Sequence, residues 1–361
     1  MRKLMLAILT RRMQRDWEEL GIIDKTNCGF QSDRNTEQCI HPMRAAAEQA
    51  RADGNVAALL YDDLKWAFDT PARTVIDLAL RRLGVPREYV NILEDIDSRS
   101  VQSAILAAGL AMDLHDDGHF RQLHGTGQGG VEGPILWLAV ADIAVQAAQT
   151  ADTAPIAVKT SRGWTNVGKR WFVDDASLGQ QARSAVAAAG KLERLTNRTG
   201  LAYLLLGCER RPKKCHLVIS GDPHERDISI SCDQWAVEWD DDGVPSLRRK
   251  TPHALVREAA KSEVRYLGLT DNENAGTAAA RKSLVAIARR ASLIYRRTGA
   301  IKKHGRAFAQ GVIAPKMAYP LAFAKIGNAA MNNMEGAYGT MLRHAMGLPK
   351  GMPWGVIEAP D

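Results

Sequence analysis

Two pairs of adjacent aspartates are the residues of this sequence best suited to chemistry. Asp62 and Asp63 follow the apolar run NVAALLY, and Asp174 and Asp175 follow RWFV. Adjacent like charges repel each other, so a chain that keeps both gains from a nearby cation. Carboxylate oxygens are ligands that Mg²⁺ prefers, and two such ions about 4 Å apart serve phosphoryl transfer. The pairs indicate a two-metal site or, each taken alone, a helix start and the acidic corner of a hairpin.

The hydrophobic pattern around these pairs predicts how they meet. The run NVAALLY is typical of a buried strand over residues 55–61, while residues 168–180 are predicted to form a strand, a turn and a second strand. Where two such strands are neighbours, their ends bring three carboxylates together, those of Asp63, Asp174 and Asp175.

The rest of the pattern predicts a mixed chain with a helical end. Helices are expected over residues 1–20, from a cap at Thr36 to Ala50, directly after Asp63, and over 71–84, 87–97, 134–149 and 182–199. A hairpin is expected within 100–125, a strand over 215–220, and an exposed polar hairpin over 221–255. The pattern is helical from residue 277 to about 346, so a domain boundary is expected near residue 270.

The charge balance favours a polyanionic partner. Lys and Arg outnumber Asp and Glu by 48 to 41, which gives a net charge of +7. Residues 281–306 carry nine Lys or Arg and no Asp or Glu, with apolar residues at helical spacing between them. This pattern favours a helix whose basic face binds phosphates, against the alternative of an ordinary solvated face.

Cysteine usage and hydropathy indicate the cellular compartment in which the protein is expected. The five cysteines are odd in number and form no CxxC pair, which indicates a reducing compartment, nucleus or cytoplasm, without a disulfide framework. Cys208, Cys215 and His216 offer three zinc ligands without a fourth, so no zinc site is predicted. The apolar runs are too short for a membrane span, and the N-terminal segment lacks a signal-peptide cleavage site, so neither a membrane partner nor secretion is expected.

Six segments resemble motifs of reverse transcriptases, in the order in which that family has them. They are TNCGFQSDRNTEQCI, LYDDLKWAFD, HGTGQGGVEGPILWL, RWFVDDASL, ERRPKKCHLVI and VRYLGLT. The resemblance is nearest to non-LTR retrotransposons and related retroelements. It implies an α+β fold, in which a right-hand polymerase palm (an antiparallel sheet with packed helices) carries partial fingers and precedes an α-helical thumb. The implied domains are partial fingers over 1–54, a palm over 55–270 with fingers helices at 71–100 and the hairpin insertion at 221–255, and a helical basic thumb with a C-terminal tail over 271–361.

The resemblance implies an RNA-directed DNA polymerase from a retrotransposon-type polyprotein. Such an enzyme adds dNTPs to a primer 3′-hydroxyl with two Mg²⁺ ions, for which Mn²⁺ is a possible substitute. Asp63, Asp174 and Asp175 match the family's catalytic metal ligands, with Asp174 the firmer match of the second pair. The implied partners are an RNA template, a DNA primer and dNTPs.

The same resemblance assigns residues to the incoming nucleotide. Phe68 matches an aromatic residue that excludes the nucleotide 2′-hydroxyl, with a core aromatic as the alternative. Gln128 and Gly129 match a glutamine–glycine pair near the new base pair, with a flexible turn as the alternative. Lys214 matches a lysine proposed to protonate the pyrophosphate leaving group, with an ordinary exposed lysine as the alternative.

Further residues are assigned to the template and primer. Arg34 matches a fingers arginine that contacts template phosphate, and Tyr266, Leu267 and Gly268 resemble the primer-grip turn. The thumb is expected to hold the template–primer duplex by its phosphates, through Arg289, Arg290, Arg296 and Arg297.

The sequence also departs from the family pattern. Glu132 and Gly133 stand in a segment that is usually Pro-Leu-Ser-Pro, and Gln31 replaces the usual arginine. The family's first fingers strands are not found ahead of the first helix, nor is an endonuclease, RNase H segment or zinc knuckle found after the thumb, so a fragment of a longer protein is expected. Two other functions remain open: a catalytically inactive nucleic-acid-binding remnant, and an RNA-directed RNA polymerase, which Phe68 disfavours.

Overall fold

The chain forms two compact units, Met1–Glu258 and Ala259–Asp361. Each unit is described by itself. The computed structural model describes residues 2–98, 102–103, 105–106, 109–110, 119–120, 124–126, 130–151, 155–160, 163–220, 228–239, 245–256, 264–266, 269–271, 284–287, 289–290, 312–321 and 328–346.

The first unit is a mixed α/β structure with small antiparallel sheets. Its helices are α1 (Arg2–Leu20), α2 (Glu37–Ala52), α3 (Arg73–Arg82), α4 (Arg87–Ser98), α5 (Gly133–Ala151) and α6 (Ala185–Leu205). Its strands are β1 (Val56–Asp62), β2 (Leu64–Lys65), β3 (Gln102–Ser103), β4 (Ile105–Leu106), β5 (Gly109–Leu110), β6 (His119–Phe120), β7 (Ala157–Thr160), β8 (Gly163–Asn166), β9 (Lys169–Phe172), β10 (Asp175–Ala182), β11 (Glu209–Arg210), β12 (His216–Ser220), β13 (Ser229–Trp239) and β14 (Pro245–Val256). The predicted antiparallel sheet with packed helices is confirmed at this level of detail.

The four-stranded sheet of this unit has the strand order β12–β1–β10–β9, and each neighbouring pair is antiparallel. In the centre of β1, Leu60 lies opposite Leu178 of β10 and opposite Leu217 of β12. All seven residues of β1 are buried. The continuous apolar run before Asp62 is therefore explained by a central strand that is covered on both faces.

Alternate residues of β1 supply two separate cores. Val56, Ala58 and Leu60 pack in a cluster with the buried face of α6. Ala57 and Leu59 pack in a second cluster with the buried face of α2. Since strand side chains point to opposite faces in turn, one short strand anchors a helix on each side of the sheet.

Helix α5 is the centre of a third core. Residues 135–141 are all buried, so every face of this helix turn is covered by protein. The cluster includes residues of α1, α3 and α4. The fully buried Asp142 accepts hydrogen bonds from Arg82 at 2.9 and 3.0 Å and from the Asp24 amide at 3.0 Å, which compensates its charge.

The predicted helix directly after Asp63 is wrong. Leu64 and Lys65 form β2, which pairs with β11. Trp66 then has a φ of 50°, a left-handed conformation that does not continue a helix. Its carbonyl accepts hydrogen bonds from the amides of Asp69 (2.9 Å) and Thr70 (3.1 Å), so a tight turn connects β2 to α3.

The hairpin expected over 221–255 is present as β13 and β14, but the prediction that it is simply exposed is wrong. Ile230 and Cys232 of β13 are each 1% exposed, and Leu255 of β14 is buried beside them. These residues join the α6 core. Their alternation along β13 gives the hairpin one apolar face, so its base belongs to the core of the unit.

The second unit contains a short hairpin and helices. Its strands are β15 (Val264–Tyr266) and β16 (Leu269–Asp271), and its helices are α7 (Ala314–Leu321) and α8 (Asn328–Met346). Most of the predicted basic helix over 281–306 lies outside the described residues; residues 284–287 and 289–290 are helical, and Arg289 and Arg290 are exposed. Over the described part of the chain, we find no helix with both the length and the apolar character needed to cross a bilayer. All five cysteines are free thiols.

Candidate active site

The end of β1 places its two aspartates in different environments. Asp62 is the last residue of β1 and is 3% exposed, whereas Asp63, the next residue, is only half-buried. Asp62 contacts Arg210 of β11 and the thiol of Cys215, and Arg210 also donates to the Thr196 carbonyl of α6. Asp63 faces a short basic segment that follows β11. The alternating direction of strand side chains separates two carboxylates that are adjacent in the chain.

Asp62 is compensated within the protein. Arg210 donates two hydrogen bonds to it, from Nε to Oδ1 at 2.7 Å and from a terminal nitrogen to Oδ2 at 2.8 Å. The thiol of Cys215 donates to Oδ1 at 3.2 Å. Burial alone would lower the pKa of Arg210, but the attraction of Asp62 outweighs it and raises that pKa. Asp62 is therefore a fixed, paired charge and is not available to a ligand.

Asp63 is paired more loosely. Arg211 Nε lies 3.6 Å from Asp63 Oδ2, and Lys214 Nζ lies 3.9 Å from Oδ1. The backbone fixes this arrangement, since the Arg211 amide donates to the Asp63 carbonyl at 2.9 Å and Pro212–Lys214 form one 3₁₀ turn. The buried Oδ2 atom of Asp63 accepts no hydrogen bond, since Arg211 at 3.6 Å is too distant to donate one. A buried acceptor without a hydrogen bond is one that a closer cation would satisfy.

The turn between β9 and β10 carries the second pair. Val173 begins the turn with a φ of 63°, which is unusual for a β-branched residue. Its carbonyl accepts a hydrogen bond from Trp137 Nε1 of α5 at 2.9 Å. A Cβ at Gly29, in the loop between α1 and α2, would lie 2.6 Å from the Val173 amide nitrogen. Glycine is therefore needed where this loop approaches the turn. Helix α5 and this loop together hold Asp174 and Asp175 in place.

The sheet register brings the two pairs together. Asp62 lies opposite Ala176 in the antiparallel pairing of β1 and β10. Asp63 follows Asp62 and Asp175 precedes Ala176, so both residues lie at the same end of the two strands. Burial and then repulsion from Asp174 and Asp63 raise the pKa of Asp175 to about 7. Burial is also the main reason that the pKa of Asp174 is raised, with repulsion from Asp63 adding to it and Lys214 opposing it. The three carboxylates predicted from the sequence therefore form one electrostatic cluster.

The donor set of this cluster suits a hard divalent cation. Its ligand atoms are carboxylate oxygens, one of them an unpartnered buried atom of Asp63. Positive charge would relieve the repulsion that raises the pKa of Asp175. As the side chains stand, however, the described part of the chain has no group of three or more His, Cys, Asp or Glu arranged to hold an ion. The cluster fits Mg²⁺ in chemistry without yet having the spacing of a formed metal site.

Phe68 belongs to an aromatic group beside this cluster. Its ring centroid lies 5.4 Å from that of Trp137 and 6.1 Å from that of Phe30. The side chain is half-buried, and its carbonyl accepts a hydrogen bond from the Thr126 amide at 2.7 Å. Because Trp137 also bonds the Val173 carbonyl, Phe68 packs against the residue that supports the aspartate turn.

The other predicted site residues are placed in different parts of the chain. Lys214 is beside Asp63, with 57% of its side chain exposed. Arg34 is exposed and donates to Gln38 Oε1 at 3.1 Å at the start of α2. Tyr266 lies in β15 of the second unit. Gln128, Gly129, Leu267, Gly268, Arg296 and Arg297 lie outside the described residues.

The sequence pattern does not predict two features of the site. In the sequence, Arg210 is part of the basic segment ERRPKKC, whereas in the structure it is the partner of Asp62. The pattern predicts a helix at Trp66, whereas the structure has an exposed residue in a strained turn. The signal for Arg210 is the acidic residue at the buried end of an apolar strand, since such a charge needs a buried partner.

No protein-family model matches this chain, and no curated protein matches it. A solved structure of telomerase from Candida albicans, in complex with the TWJ fragment of telomeric RNA, is similar with 12% sequence identity and a TM-score of 0.37. The match covers 96% of this chain and 51% of that one, so this chain spans about half the length of the telomerase chain. At this TM-score the likeness carries no inference about the site.

Proposed function

We propose that this chain is an RNA-directed DNA polymerase of the retroelement type, which adds dNTPs to a primer 3′-hydroxyl on an RNA template. The observation that supports it most is the convergence of Asp63, Asp174 and Asp175 at one end of an antiparallel sheet. The order of the sequence motifs supports the same function. In this proposal the four-stranded sheet is the polymerase palm, residues before it are partial fingers, and residues 271–361 are the thumb.

The chemistry follows from the residues around the cluster. Two Mg²⁺ ions, or Mn²⁺ in their place, held by Asp63, Asp174 and Asp175 would supply the charge that activates the primer hydroxyl and neutralises the triphosphate. Lys214, largely exposed beside Asp63, donates a proton to the departing pyrophosphate. Phe68 limits the space at the sugar of the incoming nucleotide and excludes its 2′-hydroxyl.

The remaining assignments place the nucleic acid. Gln128 and Gly129 contact the incoming nucleotide, and Arg34 contacts the template phosphate. The segment Tyr266–Gly268 holds the primer end. Phosphates of the duplex bind to the thumb arginines, Arg289, Arg290, Arg296 and Arg297. Free thiols at all five cysteines are in keeping with the intracellular, reducing compartment proposed here.

Primer extension on an RNA template tests this function. We expect extension with dNTPs and Mg²⁺. We expect Asp174→Ala to reduce extension to the level without protein, because the variant loses a ligand of the metal ions that would neutralise the transferred phosphate. Asp77→Ala is the matched control, since Asp77 is an aspartate in a surface pair with Arg81 on α3. Extension by Asp174→Ala at the rate of Asp77→Ala would show that the mechanism is wrong.

The choice of sugar tests the role of Phe68. Replacing Phe68 with Val removes the ring but keeps an apolar side chain, so we expect rNTP incorporation relative to dNTP to rise by about 10-fold or more. Phe30→Leu is the control, since Phe30 packs against Phe68 in the same aromatic group. An RNA-directed RNA polymerase is the better description if the unaltered protein uses rNTPs as readily as dNTPs.

A second candidate function is nucleic-acid binding without catalysis. It is favoured by the two cations beside Asp63, which compensate part of its charge without a metal, and by the unformed spacing of the carboxylates over the described residues. This function predicts steeply salt-dependent binding of template–primer duplex with no dNTP incorporation at any Mg²⁺ or Mn²⁺ concentration. Incorporation that requires Asp174 rules it out.

A further inference from the structure

Trp66 is an exposed aromatic residue only three positions after Asp63. Its residue surface is 60% exposed, although tryptophan is among the side chains that gain most from burial. Phe68, two residues later, is packed into the aromatic group with Trp137. The same short turn therefore packs one aromatic ring against other aromatic side chains and leaves a larger one mostly in solvent.

The backbone holds Trp66 in this position at a cost in strain. Its φ of 50° lies in the left-handed region, which bulky side chains rarely adopt. The Trp66 carbonyl accepts hydrogen bonds from Asp69 and Thr70, and β2 is paired with β11 immediately before it, so the conformation is fixed from both sides. Strain of this kind persists where the surrounding structure enforces it and is concentrated at functional sites.

A cation packs against the ring. The ammonium group of Lys65 lies 4.3 Å from the ring centroid and also pairs with Glu209 at 3.2 Å. Two further cations, Arg211 and Lys214, each lie within 4 Å of the Asp63 carboxylate, three residues before Trp66. An exposed aromatic ring with a cation against it is an arrangement by which proteins bind the bases and phosphates of unpaired nucleic acid.

We propose that Trp66 is a stacking platform for an unpaired base of single-stranded nucleic acid, with Lys65 binding the adjacent phosphate. This inference rests on the proposed function, since it adds a strand-binding contact next to the carboxylate cluster. A base stacks on the exposed ring without sequence preference, because every base has an aromatic face. The fixed backbone keeps the ring in place before the strand arrives.

Binding of a labelled single-stranded oligonucleotide, followed by fluorescence anisotropy at low salt, tests the platform. We expect Trp66→Ala to lower the affinity about 10-fold, and Trp66→Phe to retain most of it. On an abasic strand of equal length, both variants are expected to bind as the unaltered protein does, because only the stacked base is lost. Trp164→Ala is the control, since Trp164 is 70% exposed on the β7–β8 hairpin, outside the sheet that carries the aspartates.

A second variant separates binding from folding. Glycine accepts a positive φ, so Trp66→Gly is expected to raise the melting temperature while it still lowers strand affinity about 10-fold. Equal affinity of Trp66→Ala and the unaltered protein for the base-bearing strand overturns the proposal. The proposal is also overturned if Trp66→Ala loses as much affinity for the abasic strand as for the base-bearing strand. It is overturned as well if Trp66→Ala loses affinity for free dNTP but not for either strand. Primer extension with Asp174→Ala reports the proposed function independently, so failure of either inference is recognised on its own.

Discussion

The end of β1 and the turn between β9 and β10 each carry two adjacent aspartates, but the protein treats their charge differently. At the end of β1, Arg210 compensates Asp62 fully and two further cations lie beside Asp63. At the turn, burial and then repulsion from neighbouring carboxylates, that of Asp63 in both cases, raise the pKa of Asp174 and Asp175. The charge of Asp62 is therefore compensated within the protein, whereas the turn keeps a cost in free energy that an external cation would remove.

This difference is between a paired acid and acids that repel one another. A buried carboxylate with a bidentate arginine is rigid and cannot change its partners without a large loss of stability. A carboxylate with a raised pKa at the edge of a sheet is destabilising in the ionised form, and such groups are concentrated at functional sites. Asp62 is therefore a structural acid, and it is under the proposed function that Asp63, Asp174 and Asp175 would hold the metal ions.

Removing Arg210 would test the first half of the comparison and should have the largest effect. Arg210→Met leaves the Asp62 carboxylate buried and unpaired, so we expect the free energy of unfolding to fall by about 3–5 kcal/mol. Urea denaturation followed by circular dichroism measures this change. Arg211→Met is the matched control, because the neighbouring Arg211 pair with Asp63 is longer and partly exposed and should cost less than about 1 kcal/mol.

A double variant shows whether the loss comes from the charge. Adding Asp62→Asn to Arg210→Met replaces the buried charge by a neutral amide and should recover part of the stability. Equal losses for Arg210→Met and Arg211→Met would mean that Asp62 and Asp63 are not held differently.

The second half of the comparison predicts a variant that becomes more stable. The pKa of Asp175 is about 7 in the folded chain, against an ordinary value of 3.8, so its stabilising contribution is complete below 3.8 and is lost as pH rises through about 7. Asp175→Asn should therefore be more stable than the unaltered protein near pH 8, by on the order of 1–2 kcal/mol, with the difference vanishing near pH 4.

Thermal unfolding across this pH range measures the effect. Addition of MgCl₂ near pH 8 should narrow the difference, because cations offset the repulsion in the unaltered protein. Asp233→Asn is the control, since Asp233 pairs with Arg249 within the β13–β14 hairpin. Its neutralisation should therefore not raise the stability of the protein. A destabilised Asp175→Asn near pH 8 would contradict the electrostatic cluster.

Patterns within one segment predicted most of the fold. The apolar run of β1, the strands on both sides of Asp174 and the buried helix α5 all have local periodicity, and the structure has each of them within a few residues. The carboxylate cluster could also be expected once the two strands are neighbours. β1 ends at an aspartate, β10 begins at one, and the two strands are adjacent and antiparallel in the sheet.

Contacts between distant segments could not be predicted in this way. Arg210 meets Asp62 across 148 positions, and nothing in the local pattern of either residue names the other. The two-residue strand β2 exists only because β11 supplies its partner, so propensity alone favoured a helix there. The buried base of the β13–β14 hairpin likewise depends on α6 for its apolar partner.

Support of the turn by α5 gives a smaller effect. Trp137→Phe removes the hydrogen bond from Nε1 to the Val173 carbonyl, which should cost about 1 kcal/mol. Hydrogen exchange at the amides of Asp174 and Asp175 should accelerate. Trp171→Phe is the control, since it removes an indole hydrogen bond to the Tyr203 hydroxyl and leaves the bond to the Val173 carbonyl intact. Equal acceleration at the turn in both variants would show that Trp137 does not support it specifically.

The smallest effect concerns Lys214, the exposed cation beside Asp63. Lys214 lowers the pKa of Asp174 and Asp175 against burial and repulsion, but its side chain is 57% exposed and 3.9 Å from Asp63. Lys214→Ala should raise the titration midpoint of Asp175 by less than about one pH unit and change the free energy of unfolding by less than about 0.5 kcal/mol.

Carbon-13 NMR of the aspartate carboxyl groups measures the midpoint, with Lys213→Ala as the control from the same 3₁₀ turn. Because the effect is Coulombic at a solvent-exposed distance, it should shrink as salt is added. A midpoint that stays constant would mean that the basic segment compensates Asp63 alone and leaves the turn to an external cation.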